Sequence, residues 1–398
     1  MAESDSGGNG TRSNRRLLRV GMICPYSLSI PGGVQAQVMG LSRELRKMGI
    51  EVRVLAPCDG PPPATFVTPL GNSLPTSANG SIAPLAPDPS CSLRTMRVLG
   101  DEQFDVLHLH EPFLPGPTHT AMVLHPSPVV ATFHAAGDSA SYRYLRTIIK
   151  PVAANIAYSV AVSKDAAELV QRYIGGDYDI LYNGVELDLY RAAAPHPTEG
   201  PTIFFCGRHE DRKGLEVLLA AMGKLGSDVR LWVGGSGPDS ARLQAAYSDD
   251  SRIEWLGRLT EADKLSRMRG ADVFCAPSLR GESFGVVLIE AMAGNAAIVA
   301  SALDGYRNVA TDGVDAVLVE PGDVDALAAA LQRVLLDEEL SEKLRDAGSR
   351  RAEDFSMTTL ARHYAEHYHR LATNRPHRRR AVPGETFWGS WRRRMLAD

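Results

Sequence analysis

Residues 272–301 read DVFCAPSLRGESFGVVLIEAMAGNAAIVAS, and their pattern sets the architecture. "DVFCAPS" and "AAIVAS" are short apolar runs of the buried-strand kind, and from Phe284 onward the stretch between them reads as a buried helix. Strand, helix and strand joined by short turns make a βαβ unit, because two parallel neighbours need a crossover connection. Two carboxylates interrupt this apolar frame. Glu282 opens the helical stretch and Glu290 falls inside it. A buried, unpaired carboxylate is costly, so each of them needs a partner or a task.

The same alternation extends in both directions. After this unit comes "DAVLVEP", and before it "TIFFCGR", "VRLWVGGSGP" and "RIEWLG", with helices such as "GLEVLLAAMGKL" and "DVDALAAALQRVLLD" interleaved. A first series precedes them. "LLRVGMICPY" leads through the "IPGG" turn into a helix with Val34, Val38, Leu41 and Leu45 at helical spacing. "EVRVLAP", "FDVLHLHEP", "PVVATFHA", "YSVAVSKDAAELVQRYI" and "YDILYNGV" follow. The expected fold is α/β, with two Rossmann-like doubly wound domains facing across a cleft and ligands bound outside the C-terminal strand ends. The chain divides into a polar, disordered segment 1–16, a first domain 17–190, an Ala/Pro/Gly-rich linker 191–202 and a second domain 203–355. A helix at 356–373 carries Leu360, Tyr364, Tyr368 and Leu371 on one stripe and is expected to pack back across the domain boundary. A basic, aromatic tail, 374–398, ends the chain.

Composition narrows the function classes. A length of 398 residues suits two domains, and a net charge of −4 gives no global attraction to nucleic acid, so no nucleic-acid partner is expected. Cys24, Cys58, Cys91, Cys206 and Cys275 form no CxxC pair or metal-like cluster, which favours free thiols in a reducing compartment. No run suggests a signal peptide or a membrane span, and a cytoplasmic location is the expectation. In the tail, arginine clusters flank Phe387, Trp388 and Trp391. Two readings fit it, a solvated basic tail and a peripheral foot on an anionic membrane, at the inner face of the cell membrane.

The candidate chemistry gathers on turns. Glu282 lies after a strand, Ser283 can cap the following helix, and Gly285 allows close backbone approach, so the first-turn amides make an anion site. Glu290, about two turns further in, can accept hydrogen bonds from vicinal hydroxyls such as those of a ribose, and Glu282 can bind hydroxyls of a second sugar. One nucleotide-sugar along the helix start satisfies both. A helix-start Glu and a core Glu paired with Lys or Arg is the other reading. In "FFCGRHEDRKG", Arg208 and Lys213 stand on a loop after a strand, where two cations can neutralise a diphosphate leaving group. "PGGVQ" puts Gly32 and Gly33 before a helix, and "ATFHA" puts His134 at the end of a strand, as a cleft residue or a structural one. His108 and His110 share a strand face; with no further His/Asp cluster at suitable spacing, packing and loop anchoring is the preferred reading. "DYD" at Asp177 and "DVD" at Asp323 read as element starts. No metal is assigned.

In order, "PGGVQ", "HLHEP", "TFH", "NGV", "GR" with Lys213, and "ESFGVVLIEAMA" resemble the retaining GT-B glycosyltransferases of family four, over roughly residues 17–372. The E-x7-E element is the most specific part. Within the family, "GMICPYSLSIPGGVQAQV", "NGSIA" and "APSLRGESFGVVLIEAMA" look most like phosphatidylinositol mannosyltransferases. The resemblance implies a hexosyltransferase that needs no metal or other cofactor and uses a nucleotide-sugar donor, GDP-mannose, with an inositol lipid acceptor. It implies that Gly33, Arg208, Arg212 and Lys213 meet the diphosphate, that Leu259 and Lys264 flank the guanine, and that Glu290 holds the ribose. Glu282, Ser283, Phe284, Gly285 and Val286 would contact sugar and phosphates. His134 would sit at the reacting face, and Tyr26, Gln35 and Asn79 at the inositol. The sequence departs from the pattern in three places. Pro84, Leu85 and Ala86 stand near where the family has an arginine, Asp138-Ser139 where a lysine follows the histidine, and Asn295 where relatives carry Gly. Two acceptor-phosphate cations are therefore missing. A soluble sugar or sugar-phosphate acceptor, or a non-enzymic lipid-surface protein with this fold, are the competing readings.

Overall fold

The computed structural model describes residues 16–78, 81–135, 149–282 and 284–373. Readings that fall on the N-terminal segment to residue 15, Asn79, Asp138-Ser139, Ser283 and the tail 374–398 lie outside these residues.

The first sheet contains β1 (Arg19–Ile23), β2 (Glu51–Ala56), β3 (Val67–Pro69), β6 (Val106–His110), β7 (Val129–Phe133), β8 (Ile156–Ala161) and β9 (Asp179–Ile180). Its spatial order is β3-β2-β1-β6-β7-β8-β9, all parallel. Its central strands β6 and β7 are buried along their whole length, as expected for a parallel sheet covered on both faces. A hairpin of β4 (Leu74–Ala78) and β5 (Ser81–Leu85) stands apart. It docks on the first βα loop through the Ser27 amide, which donates to the Pro84 carbonyl at 2.9 Å. Neither β3 nor this hairpin stands out in the sequence, because prolines and glycines break any alternation there.

The second sheet contains β10 (Thr202–Cys206), β11 (Arg230–Gly234), β12 (Ile253–Gly257), β13 (Val273–Ala276), β14 (Ala297–Ser301) and β15 (Val317–Val319), in the parallel order β12-β11-β10-β13-β14-β15. The stretch 272–301 is β13, the helix Val286–Ala293 and β14, paired in parallel from Val273 against Ala297. Asn295 closes that helix with φ 60°, a left-handed position that asparagine tolerates, and its side chain accepts from Ser349 at 3.1 Å.

The chain passes between the two cores earlier than the composition suggests. Val185, Leu187 and Tyr190 already pack in the second core, so the crossing falls at Gly184 rather than after residue 190. The Ala/Pro-rich stretch misleads because the amphipathic helix Leu187–Ala192 precedes it. The return crossing lies beside the first: the Val185 amide donates to the Phe355 carbonyl at 2.9 Å and the Met357 amide to the Val185 carbonyl at 2.8 Å. The last helix, Met357–Thr373, then enters the first core with Met357, Ala361, Tyr364 and Tyr368. It runs against the helix Gly33–Lys47, where Gly40 allows the approach; a Cβ there would lie 2.7 Å from the Met357 methyl. Gln37 fastens the crossing from that same helix, donating to the Gly184 carbonyl at 2.7 Å and accepting from its amide at 2.9 Å.

Candidate active site

In the second sheet the strand order reverses between β10 and β13, so the loops leaving these two strands diverge and open a crevice at the strand ends. The loop after β10 carries Arg208, Arg212 and Lys213, and the loop after β13 carries Glu282, Phe284 and Gly285. The two loops are stitched together. The Leu279 amide donates to the Arg212 carbonyl at 2.8 Å, and Gly214, at φ 65°, lies so near Pro277 that a Cβ would overlap its carbonyl oxygen.

Three donors converge on one oxygen of Glu282. Its Oε1 accepts from Lys213 Nζ at 2.6 Å, Ser278 Oγ at 3.0 Å and Arg212 at 3.3 Å. The Tyr306 hydroxyl lies 2.9 Å from Ser278 Oγ, and since Ser278 donates onward to Glu282, the tyrosine donates to Ser278. Burial, and then the Glu282 charge, raise the Tyr306 pKa and keep it a donor. Tyr306 also shapes the turn: Gly285 has φ 78°, and a Cβ there would lie 2.7 Å from the tyrosine ring. The helix Val286–Ala293 thus starts with a glycine cap and no acidic residue in its first turn, so its free amides remain available to an anion. Arg212 also pairs with Glu210 at 2.7 Å, and exposed Arg208 reaches the same carboxylate at 3.5 Å. Glu210 was not anticipated from the sequence, because "RHEDRK" reads as a basic loop. The structure instead gives three cations held in position by two carboxylates.

Half-buried Glu290 is paired with Lys264 at 2.5 Å. Burial disfavours the Lys264 charge, yet the carboxylate outweighs it and the lysine pKa stays above its ordinary value. Lys264 comes from the helix Glu261–Gly270, whose Thr260 cap accepts from the Asp263 amide at 3.1 Å. The Tyr190 hydroxyl, on the helix that follows the crossing, also faces Glu290, with its pKa raised by burial and then by that charge. No motif marks Tyr190 in the sequence. Leu259 lies over the end of β11, where Gly234 leaves room for it, and Val286 is half-buried at the helix start. Phe284 is placed differently from a ligand-contacting side chain. It is 3% exposed, stacked on Tyr182 at 4.7 Å and edge-on to Phe355 at 5.6 Å, so only its backbone faces the turn.

On the first domain, Gly33 begins an uncapped helix with no acidic residue in its first turn and is exposed. Gln35 is buried and folds back on the loop before it, donating to the Ile30 carbonyl at 3.2 Å. Half-buried Tyr26 bridges to Leu85 of the hairpin, and burial followed by the nearby Glu111 charge raises its pKa. Glu111, in the left-handed region at φ 50°, accepts from the amides of His134 and Ala135 at 2.5 and 2.6 Å and so shapes the end of β7.

His134 belongs to a histidine stack. His108 and His110 stack at 4.4 Å, and His110 and His134 at 5.1 Å. His108 is satisfied by Tyr368 at 2.6 Å and Thr132 at 2.7 Å, which is the packing role expected of it. His110 Nδ1 lies 2.9 Å from His134 Nε2, while His110 Nε2 is buried and has no partner among the described residues. If His134 donated in this pair, the His110 proton would sit on Nε2 as a buried, unsatisfied N–H. If His110 donates, only a lone pair is left bare, which costs less. The network therefore assigns the His134 proton to Nδ1. Burial lowers the pKa of His134 to about 3 and that of His110 well below its ordinary value, so both are uncharged at neutral pH. His134 offers a neutral N–H donor. The pairing was visible only through strand register, since His110 lies opposite Thr132, two residues before His134.

Among the described residues, one group of three metal-type ligands has its ligand atoms within 4.8 Å of one another, Asp179, His363 and His367, and it belongs to neither of these loops.

Comparisons with known proteins agree with this arrangement. The family model "Glycosyltransferase Family 4" matches residues 31–189 and "Glycosyl transferases group 1" matches residues 188–351. A phosphatidyl-myo-inositol mannosyltransferase of Mycobacterium leprae is 38% identical over 90% of this chain and 98% of its own. One of Mycolicibacterium smegmatis is 40% identical over 81% of this chain and 86% of its own. The crystal structure of Anabaena HepE in complex with UDP-glucose superimposes with a TM-score of 0.66 at 18% identity, covering 89% of this chain and all of that one. With two parallel-sheet domains of the GT-B kind and close relatives named phosphatidyl-myo-inositol mannosyltransferase, the chain belongs to the family-four glycosyltransferases.

Proposed function

We propose that the chain transfers mannose from GDP-mannose to the inositol ring of phosphatidylinositol, with retention of configuration and without a metal. The names of relatives 38–40% identical to it support the sugar and the acceptor. Within the molecule, the observation that carries the reading is the gathering of Lys213, Arg212 and Ser278 on Glu282 beside the uncapped helix Val286–Ala293. That combination offers fixed positive charge and free amides to a diphosphate, and a carboxylate to the hydroxyls of the attached sugar.

In this reading the donor diphosphate exchanges into the ion pairs of the loop after β10. As the bond from the sugar carbon to the phosphate oxygen breaks, the diphosphate gains charge, and Arg208, Arg212 and Lys213 stabilise it more than the ground state. The leaving oxygen takes the proton from the acceptor hydroxyl, whose oxygen forms the new bond on the same face of the sugar. Glu290 accepts from the ribose hydroxyls, Leu259 and Lys264 flank the base, and His134 donates Nδ1–H to a hydroxyl at the reacting face. Tyr26 and Gln35 border the acceptor. We assign the reaction to the cytoplasmic face of the membrane, with the basic tail as the peripheral contact. No helix among the described residues is long and apolar enough to cross a membrane.

One observation favours a second reading, with a soluble acceptor. Leu85 and Ala86 are 2% and 0% exposed and half-buried Pro84 has no polar side chain, so none of these three residues, near where the family's arginine is missing, offers a side chain to a lipid phosphate. The test is to incubate the protein with labelled nucleotide-sugars and, in separate arms, phosphatidylinositol vesicles, free inositol and inositol phosphate. Labelled mannosyl-phosphatidylinositol from GDP-mannose is the expected product. Label only in a water-soluble product would favour the second reading, and no transfer from any donor would reject both.

A further inference from the structure

We infer that Asp179, His363 and His367 form a binding site for a divalent cation of the zinc type, at the seam between the last helix and the edge of the first sheet. His363 and His367 are four residues apart on the helix Met357–Thr373 and so share one face of it. That helix is anchored by Tyr364 and Tyr368, whose hydroxyls meet Thr132 at 2.8 Å and His108 at 2.6 Å. The anchoring turns the two histidines toward β8 and β9. Asp179 comes from β9, the edge strand, where it lies opposite Val160.

The ligand atoms of all three residues lie within 4.8 Å of one another. In a tetrahedral zinc site, with bonds of about 2.0–2.1 Å, neighbouring ligand atoms are about 3.3 Å apart, a contraction that small side-chain rotations supply. Tyr158 already orders the group. Its hydroxyl donates to Asp179 at 2.7 Å and lies 3.2 Å from His363 Nε2, and its ring stacks on His367 at 3.8 Å with an interplanar angle of 9°. Outer partners that orient ligands in this way are a regular part of metal sites. Two imidazole nitrogens and one carboxylate oxygen suit zinc, cobalt or nickel. Magnesium and calcium prefer all-oxygen shells of higher coordination number. A metal here ties the helix that returns from the second domain to the edge strand of the first.

The test uses full-length protein, freed of any purification tag and stripped with a chelator, titrated with zinc chloride by calorimetry and with cobalt by visible absorption. One equivalent of zinc is expected, with a tetrahedral cobalt spectrum and a thermal midpoint that rises with zinc concentration. Affinity should fall at least about tenfold in Asp179→Asn and in His367→Ala and stay unchanged in His369→Ala, an exposed neighbour on the same helix. Absence of both the heat and the cobalt spectrum overturns the inference. So does equal binding by the parent and the His363→Ala/His367→Ala double variant. No readout depends on sugar transfer, so the result stands apart from the proposed reaction.

Discussion

Glu290 is fixed before any donor arrives, by Lys264 at 2.5 Å, and this makes its role measurable. Glu290→Gln keeps the shape and removes the charge; the expected loss in donor affinity is about 1.5–3 kcal/mol, the worth of a hydrogen bond to a charged group. Calorimetry with an unchanged dissociation constant would remove Glu290 from the donor site. His110 acts one step back, as a positioning residue. It donates to His134, so the His134 proton sits on Nδ1, and nitrogen-15 NMR should report that tautomer in the parent protein. In His110→Phe the hydrogen bond is gone and the signal should move toward the Nε2–H form, whatever happens to stability. An Nε2–H signal in the parent would contradict the assignment. The stretch 272–301 announced both glutamates but neither of their lysine partners. Lys213 comes from the loop after β10 and Lys264 from the helix Glu261–Gly270, and a pairing between elements distant in sequence leaves no local pattern.

At the scale of elements, the site depends on how closely the loops after β10 and β13 approach. Gly214 permits the approach, with φ 65° and no room for a Cβ against Pro277. Gly214→Ala meets both left-handed strain and a backbone clash, each worth roughly 1–3 kcal/mol, and should lower the thermal midpoint while weakening donor binding. A variant of parental stability and affinity would mean that the loops do not need this contact. The parallel strands were readable because buried strands are continuous apolar runs, and the helices because Val34, Val38, Leu41 and Leu45 recur at helical spacing. What escaped was set by position rather than composition. The β4–β5 hairpin is specified by docking on the Tyr26 loop, and the crossing at Gly184 by Val185, Leu187 and Tyr190 entering the second core.

For the whole molecule, the histidines buried between sheet and last helix make stability depend on pH. His108 and His110 are 0% and 2% exposed, and burial lowers the His108 pKa to about 3 and that of His110 below its ordinary value. The unfolded chain, with ordinary histidines, takes up protons first as pH falls. The stability associated with these groups is therefore fully present above about pH 6.5 and is lost as pH falls; for His108 the loss continues toward pH 3 and reaches up to about 2 kcal/mol between 6.5 and 5. Urea unfolding at these two pH values should show the loss, and His108→Gln should reduce it; an equal loss in both proteins would assign it to other groups. The return of the last helix to the first core has a further consequence, for synthesis on the ribosome. The last strand of the first sheet ends at Ile180, but the helix that completes its core ends at Thr373. At roughly 5–20 residues per second, the half made first waits on the order of ten to forty seconds for its final side chains. During that wait the sheet face that Tyr364 and Tyr368 will cover is bare, and a chain stopped short of residue 357 leaves the ribosome with its earlier half unfinished.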